Sequence, residues 1–233
     1  MEGMPVLSIV LPVLNEAPGI VAALEALAPL RRGGVEVIVV DGGSADRSAE
    51  LAGPGADRVL GAPRGRASQM NAGAAAARGG VLLFLHADTR LPEGADRFIA
   101  QAIDGGCHWG RFDVRIEGRS AWLPVVAALM NRRSRLTGIA TGDQAIFVSR
   151  AAFAASGGFS DIPLMEDVEL SRRLRQTGRP ACLSARVTTS GRRWETQGVW
   201  RTIRRMWWLR LRYFLGADPR RLALEYGYVP RES

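Results

Sequence analysis

Val6-Leu-Ser-Ile-Val-Leu-Pro-Val-Leu14 is a short apolar run rich in β-branched residues, and Asn15-Glu16 closes it. A second such run, Val35 to Val40, ends in Asp41-Gly42-Gly43-Ser44-Ala45-Asp46. The Ala-, Leu- and Glu-rich stretch between them, Gly19 to Leu30, suits a helix, so residues 6 to 40 read as strand, helix, strand. A third apolar run, Val81 to Leu85, follows the Ala-rich helical stretch Gln69 to Arg78 and repeats the alternation. Runs that are apolar throughout belong to strands covered on both faces. The expectation is therefore an α/β fold: a Rossmann-like, mostly parallel sheet flanked by helices.

In open α/β sheets, ligands bind beyond the carboxyl ends of the strands. Three polar segments occupy those ends: Pro12-Val13-Leu14-Asn15-Glu16, Asp41 to Asp46, and His86-Ala87-Asp88-Thr89. They are expected to converge on one edge. Taken singly, each also has a plain reading, since Asp-Gly-Gly is ordinary turn chemistry and Asn-Glu before a helix is ordinary capping. Together they place one carboxylate where it can accept hydrogen bonds from a base or ribose. A second is placed where it can hold a divalent cation against a diphosphate.

Beyond Leu91 the pattern is less regular: a helix from about Glu93 to Ile103, an alternating segment Trp109 to Ile116, an apolar helix from Trp122 to Asn131, and a strand over Gln144 to Val148. From Val199 to Leu215, Trp200, Ile203, Trp207, Leu211 and Phe214 recur at spacings of three and four. Arg201, Arg204, Arg205 and Arg212 lie mainly off that line. This is a C-terminal basic amphipathic helix, whose apolar stripe suits either a core or an anionic membrane surface. No repeat or low-complexity linker divides the chain, so residues 1–233 read as one domain. Its nucleotide-binding half would be 1–90, its less regular half 91–198, and its tail 199–233.

Composition excludes several classes. With 47% hydrophobic and 23% charged residues the chain is neither disordered nor collagen-like, and two cysteines make no disulfide scaffold. No leader pattern and no run of about 18 apolar residues appears, so a cytoplasmic protein is expected, peripheral on the inner face of the membrane if the tail binds lipid. The net charge of +8 is concentrated: residues 186–233 hold 11 Arg against 4 acids, and the remainder 20 against 19. That asymmetry makes nucleic acid the least favoured partner. His86 and His108 form no zinc pattern with Cys107 and Cys182.

Ser8-Ile-Val-Leu-Pro-Val-Leu-Asn-Glu16, Val40-Asp-Gly-Gly-Ser-Ala-Asp46 and Arg66-Ala-Ser-Gln-Met-Asn-Ala-Gly73 resemble the opening strand, the uridine-binding turn and the donor-side helix of glycosyltransferase family 2, the GT-A type. Gly142-Asp143-Gln144, Gly157-Gly158-Phe159 and Met165-Glu166-Asp167 resemble that family's acceptor strand, turn and Glu-Asp motif. Arg192-Arg193-Trp194 is similar to the end of its Gln-x-x-Arg-Trp element, with Ser190 where the Gln would stand. His86 departs from the usual Asp-x-Asp motif. His86-Ala-Asp88, the compact length and Trp194-Glu-Thr-Gln-Gly-Val-Trp200 resemble more closely the subfamily labelled rSAM/selenodomain-associated transferase, a label that names gene neighbourhoods and no reaction.

The resemblance implies transfer of a sugar from a nucleotide-diphosphate donor, expected to be a UDP-sugar, to an unidentified acceptor with inversion. Asp167 is the expected base, Glu166 beside it is expected to orient the acceptor or cap the backbone, and Mn²⁺ or Mg²⁺ is expected on Asp88. His86 is open to three roles: metal ligand, hydrogen-bond donor to the diphosphate, or strand-end filler. Pro12, Asn15, Glu16, Asp41, Ser44, Arg66, Asn71, His86, Ala87 and Asp88 are the expected donor-binding set. Asp143, Gln144, Arg193 and Trp194 are expected on the acceptor side, with Trp109, Arg111, Asp113 and Trp122 as further candidates. A catalytically weak nucleotide-sugar-binding protein and a basic membrane-associated module are the competing readings.

Overall fold

The computed structural model describes residues 6–228. β1 (Leu7–Val13) leads through α1 (Ala17–Arg32) to β2 (Glu36–Asp41); α2 (Ser48–Ala52) precedes β3 (Arg58–Gly61), and α3 (Arg66–Ala76) returns the chain to β4 (Val81–Phe84). All three neighbouring pairs in this half are parallel, with Val10 of β1 opposite Ile38 of β2 on one side and Phe84 of β4 on the other. The expected strand–helix alternation is present, and the C-terminal ends of β1, β2 and β4 share one edge.

The second half adds β5 (Thr89–Arg90), α4 (Ala95–Asp104), β6 (Trp109–Glu117), α5 (Leu123–Thr137), β7 (Ile146–Ser149), α6 (Arg150–Ala155), α7 (Glu166–Leu174) and β8 (Ala181–Ser190), then α8 (Arg192–Gln197), α9 (Val199–Phe214) and α10 (Pro219–Tyr226). The strands form one sheet in the order β3-β2-β1-β4-β7-β6-β8-β5. β7 runs antiparallel between β4 and β6, and β5 runs antiparallel to β8, so the sheet is mixed and mostly parallel.

Side-chain alternation along β1 divides the core into two layers. Ile9, Leu11 and Val13 pack with Ile20, Leu24 and Leu27 of α1, while Val10 faces the other way onto Ala67 and Met70 of α3. A strand covered on both faces has no polar side to show, which is why its sequence is apolar throughout. α3 sits so close that a Cβ on Gly73 would fall 2.3 Å from Val10 Cγ1 and 3.0 Å from Val40 Cγ2. Behind the sheet's opposite edge, buried Glu36 accepts hydrogen bonds from Ser8 Oγ at 2.5 Å and from Arg78 Nε at 2.9 Å.

The alternating segment Trp109 to Ile116 is a strand, and its residues are buried through Val114 because β7 and β8 flank it. Most of the apolar stripe of α9 faces outward: Trp200, Trp207, Leu211 and Phe214 are all more than half exposed, whereas Ile203 packs against the main core and the helix buries Thr202 and Leu209, with Tyr213 half-buried beside them. The polar tips on this inner side are bonded, Thr202 Oγ1 to Gly198 O at 2.8 Å and Tyr213 OH to Glu169 Oε2 at 2.9 Å, so burial leaves neither orphaned. Leu209 joins Ile139, Met165, Val168 and Leu222 in a third cluster, which holds α9 and α10 against α7. Among the described residues, no helix is long and apolar enough to cross a membrane.

Candidate active site

The ends of β1 and β2 are laced together by side chains expected to bind a ligand. Asn15, at φ 55°, accepts a hydrogen bond from Ala45 N at 2.8 Å and donates its own N–H to Ser44 Oγ at 2.9 Å. Asp41 accepts from Gly43 N and Ser44 N at 2.9 and 3.0 Å, and Ser44 donates its hydroxyl to it as well. Asn15, Asp41 and Ser44 thus build the turn, and a nucleoside would meet lone pairs left over from that work. Pro12 is half-buried within β1. Glu16 is half-buried, and burial followed by the charge of Asp88 raises its carboxyl above the ordinary range.

His86, Ala87 and Asp88 follow β4 on the same edge. Both imidazole nitrogens lie against the turn Gly142–Gln144: Nδ1 is 3.4 Å from Asp143 Oδ1, and a Cβ on Gly142 would fall 2.5 Å from Nε2. Position 142 must therefore be glycine for the ring to rest there. Asp143 is held down to about 2 against the cost of its burial, by the hydrogen bond and charge of His86 and by Arg66 and Arg193. Asp88 is exposed, and among the described residues its side chain receives only a long 3.4 Å contact from Thr89 Oγ1.

Among the described residues, no three His, Cys, Asp or Glu side chains gather in a metal-binding cluster. A closed protein cage does not fit. A hard cation held by one carboxylate together with substrate phosphates does, and Asp88 has the free oxygens for it. His86 is turned toward Asp143, its Nδ1 3.4 Å from Oδ1.

Facing this edge are the first residues of α7. Met165 takes a left-handed φ of 71°, which swings Glu166 and Asp167 into the first turn of the helix. Asp167 Oδ2 accepts from Gly142 N at 2.8 Å and Oδ1 from Val168 N at 2.7 Å. Glu166 is buried, and burial together with the adjacent Asp167 raises it to about 7, while Arg66 NH1, 4.0 Å from its Oε1, opposes the rise. Arg66, in the first turn of α3, lies 4.0 Å from Glu166 and lines one cavity with Asp143 and Asp167, so one guanidinium joins the two halves. Asn15, Ala145 and Met165 are the three non-glycine residues with positive φ among those described, and each flanks one of these segments.

Several expected ligand contacts are structural instead. Asn71 donates to Phe159 O at 2.8 Å and accepts from Phe159 N at 2.9 Å, so both ends of its amide clamp the Gly157-Gly158-Phe159 turn. Gln144 is fully buried and caps its own turn at Thr141. Trp109 and Arg111 are also fully buried: Trp109 donates to Gly178 O, and Arg111 bonds Asp113, Ser134 and Asn131 O. Trp122 lies outside the site, its ring 4.9 Å from that of Trp200.

Arg193 does reach the site, donating to Tyr226 OH, and Trp194 lines an adjoining cleft. The cavity beside Glu166 is walled by Arg66, His86, Asp143, Arg193, Arg210 and Tyr226. Tyr226, Met206 and Arg210 escaped sequence reading because α9 and α10 bring them in from the far end of the chain. Arg210 carried a faint signal, being a charge three residues beyond Trp207 beside an apolar stripe.

Residues 8–154 match the family model described as Glycosyl transferase family 2. No curated protein matches the chain. Among solved structures, the chain is similar to residues 1–349 of S. aureus TarS in complex with UDP-GlcNAc, with 18% identity over 79% of this chain and 58% of that one, at a TM-score of 0.63. It is similar to the mannosyltransferase PcManGT from Pyrobaculum calidifontis in complex with GDP-Man and Mn²⁺, with 19% identity over 79% and 56% and a TM-score of 0.59. The third is glucosyl-3-phosphoglycerate synthase from Mycobacterium tuberculosis in complex with Mn²⁺, UDP and phosphoglyceric acid, with 23% identity over 80% and 70% and a TM-score of 0.55. The chain spans 58% to 60% of the TarS 1–349 chains. At such identities these likenesses establish the fold, a mixed α/β sheet of the GT-A kind.

Proposed function

The chain belongs to glycosyltransferase family 2, and from that premise we propose that it moves a sugar from a nucleotide-diphosphate donor, a UDP-sugar, to an acceptor hydroxyl with inversion at the anomeric carbon. The observation that carries this reading is the closure of two half-sites on each other. The strand-end edge bearing Glu16, His86 and Asp88 meets the Glu166-Asp167 turn through Arg66 and through Gly142.

In this reading the diphosphate lies between Asp88 and Arg66. Mn²⁺ or Mg²⁺ on Asp88, when bound, offsets the charge growing on the departing diphosphate. The acceptor oxygen forms a bond to the anomeric carbon from the opposite face as the carbon–oxygen bond to the diphosphate breaks, and the nucleotide leaves with that electron pair. Asp167 accepts the acceptor's proton, its carboxylate aimed by the Gly142 and Val168 N–H groups. Arg66 stays charged amid Glu166, Asp143 and Asp167 and steadies the leaving phosphates. Glu16 and the residual lone pairs of Asp41 orient the nucleoside. The reading treats residues 1–233 as one transferase domain, and the segments behind the rSAM/selenodomain-associated resemblance fall within it.

Calorimetric titration with UDP, GDP and their common sugars, each with Mn²⁺ and with chelator, tests the donor. Metal-dependent binding of a UDP-sugar is the expected result, and no nucleotide binding would overturn the reading. Binding of UDP-sugars with no turnover against any acceptor would favour the weakly catalytic alternative.

A second reading, attachment to an anionic membrane surface, is supported by one observation. Trp207, Trp208, Leu211, Phe214 and Leu215 are all more than half exposed on or just after α9, with Arg201 and Arg204 exposed on the same helix.

A further inference from the structure

Beside the reaction site, α5 and α9 enclose a cleft of about 490 Å³, within the size range of small-molecule pockets. Its walls are apolar: Val126, Leu129 and Leu136 come from α5, and Ile203, Met206 and Trp207 from α9. Leu129, Leu136 and Trp207 are also exposed, at 56%, 77% and 70%, so the cleft opens outward between them. At its other end it shares Asp143, Met206 and Arg210 with the cavity beside Glu166. One passage thus runs from an apolar rim to the carboxylates.

Arg132, Arg133, Arg210 and the carboxylate of Asp143 interrupt the apolar lining. Arg133 and Arg210 both face the cleft, and Arg133 Nε, Arg133 Nη2 and Arg210 Nε are buried with no hydrogen-bond partner among the described residues. Burial and then the Arg210 charge push Arg133 down to about 10. Buried guanidinium donors are ordinarily paired, and the fork of each group matches an oxyanion. Two such groups beside one apolar channel call for a ligand with a doubly charged head and a greasy tail.

We propose that this cleft binds the acceptor, a lipid with one apolar chain and a phosphate close to its accepting hydroxyl: the chain lies between α5 and α9, and the phosphate meets Arg133 and Arg210. The proposal rests on the transferase reading and adds the acceptor class to it. It also gives the outward-facing rim a use, since a chain drawn from a bilayer would enter between Leu129, Leu136 and Trp207.

Calorimetry of the full chain with decyl phosphate, below its micelle concentration, tests this against two controls: decyl maltoside, which keeps the chain, and inorganic phosphate, which keeps the head. Decyl phosphate is expected to bind one per chain and at least tenfold tighter than either control. R133Q/R210Q should bring it down to the level of decyl maltoside, and Trp207→Ala should weaken it severalfold while leaving inorganic phosphate unchanged. The exposed position of Trp207 makes that second variant safe should the double variant fail to fold.

Equal binding of decyl maltoside would remove the anion from the account, and equal binding of inorganic phosphate would remove the chain. Binding of none of the three would overturn the proposal outright. UDP titration of the same preparation separates the two levels. UDP binding without decyl phosphate binding rejects the cleft alone, whereas decyl phosphate binding without UDP binding rejects the donor reading and leaves a lipid-phosphate site.

Discussion

The Gly142 N–H donates to Asp167 Oδ2 at 2.8 Å, while the neighbouring residue Asp143 pairs with His86 Nδ1. A single turn therefore fixes both the donor-side imidazole and the expected base, and a change at either end is felt at the other. Asp167→Asn keeps one oxygen for the two N–H groups of Gly142 and Val168 and so gives up one of the two bonds, a loss the fold and UDP affinity should survive at some cost in melting temperature. Turnover should fall by about 10² to 10⁴. Retained turnover in a steady-state assay would take the role of base away from Asp167.

Gly142→Ala probes the same turn from the backbone. The new methyl would meet the His86 ring at 2.5 Å, and because Asp143 holds that ring the two must separate. Overpacking of this kind costs about 1–3 kcal/mol. A lowered melting temperature together with reduced turnover is expected. An unchanged melt with unchanged activity would show that His86 is not seated against the turn.

Glu166 makes stability depend on pH in a stated direction. Its carboxyl is raised from 4.5 to about 7 by burial and by Asp167. Below pH 4.5 folded and unfolded chains both hold the proton. Between there and pH 7 the unfolded chain releases it while the folded one keeps it, so this group's contribution to stability declines as pH rises. Glu166→Gln should abolish that decline, giving a variant stabler than the parent at pH 8 and no stabler at pH 4 in urea melts. Parallel melting curves across the range would mean that Glu166 is ionised and compensated in the folded state.

How far the sequence reaches can be seen residue by residue. β1, β2 and β4 were legible because strands covered on both faces must be apolar throughout, and the residues after them were legible because parallel strands place their ends together. β8 was not: Ala181–Ser190 carries Arg186 and four hydroxyl residues, and it is a strand because β6 pairs with it across a register shift at Phe112 and Asp113. Asn71 and Gln144 look like ligand contacts in the sequence because motif spacing does not reveal that an amide already has backbone partners. The α9 stripe is present as spaced, but Leu209 and, in part, Tyr213 take the interior. Met165 just before α7, Val168 within it and the Glu169 carboxylate meet them there, contacts that no local periodicity encodes.

Asp88→Asn addresses the cation. An amide oxygen is a poorer hard ligand than a carboxylate and carries no charge, so the Mn²⁺-dependent part of UDP affinity should be lost while the metal-independent part remains. Removing the negative charge beside Glu16 also allows that carboxyl to fall back toward its ordinary value. Calorimetry with Mn²⁺ and with chelator gives the contrast directly. An affinity and metal dependence equal to the parent's would place the ion elsewhere.

The outward stripe of α9 gives the last expectation. Trp208 and Phe214 are exposed and lie outside the cleft lining, so replacing both by Ala leaves the proposed acceptor channel intact. Arg201 and Arg204 are exposed as well, whereas Arg205 donates to Glu225 O and stacks on Tyr226, which makes it part of the fold and a poor probe of lipid binding. In flotation with vesicles of neutral or anionic lipid, the parent should float with anionic vesicles only. Trp208→Ala with Phe214→Ala should lose this by removing the groups that enter the interface, and Arg201→Ala with Arg204→Ala by removing charges worth about 1 kcal/mol each near such a surface. High salt should release the parent but not rescue either variant. Flotation with neutral vesicles as strong as with anionic ones would remove the arginines from the account, and no flotation at all would leave the stripe free for a protein partner.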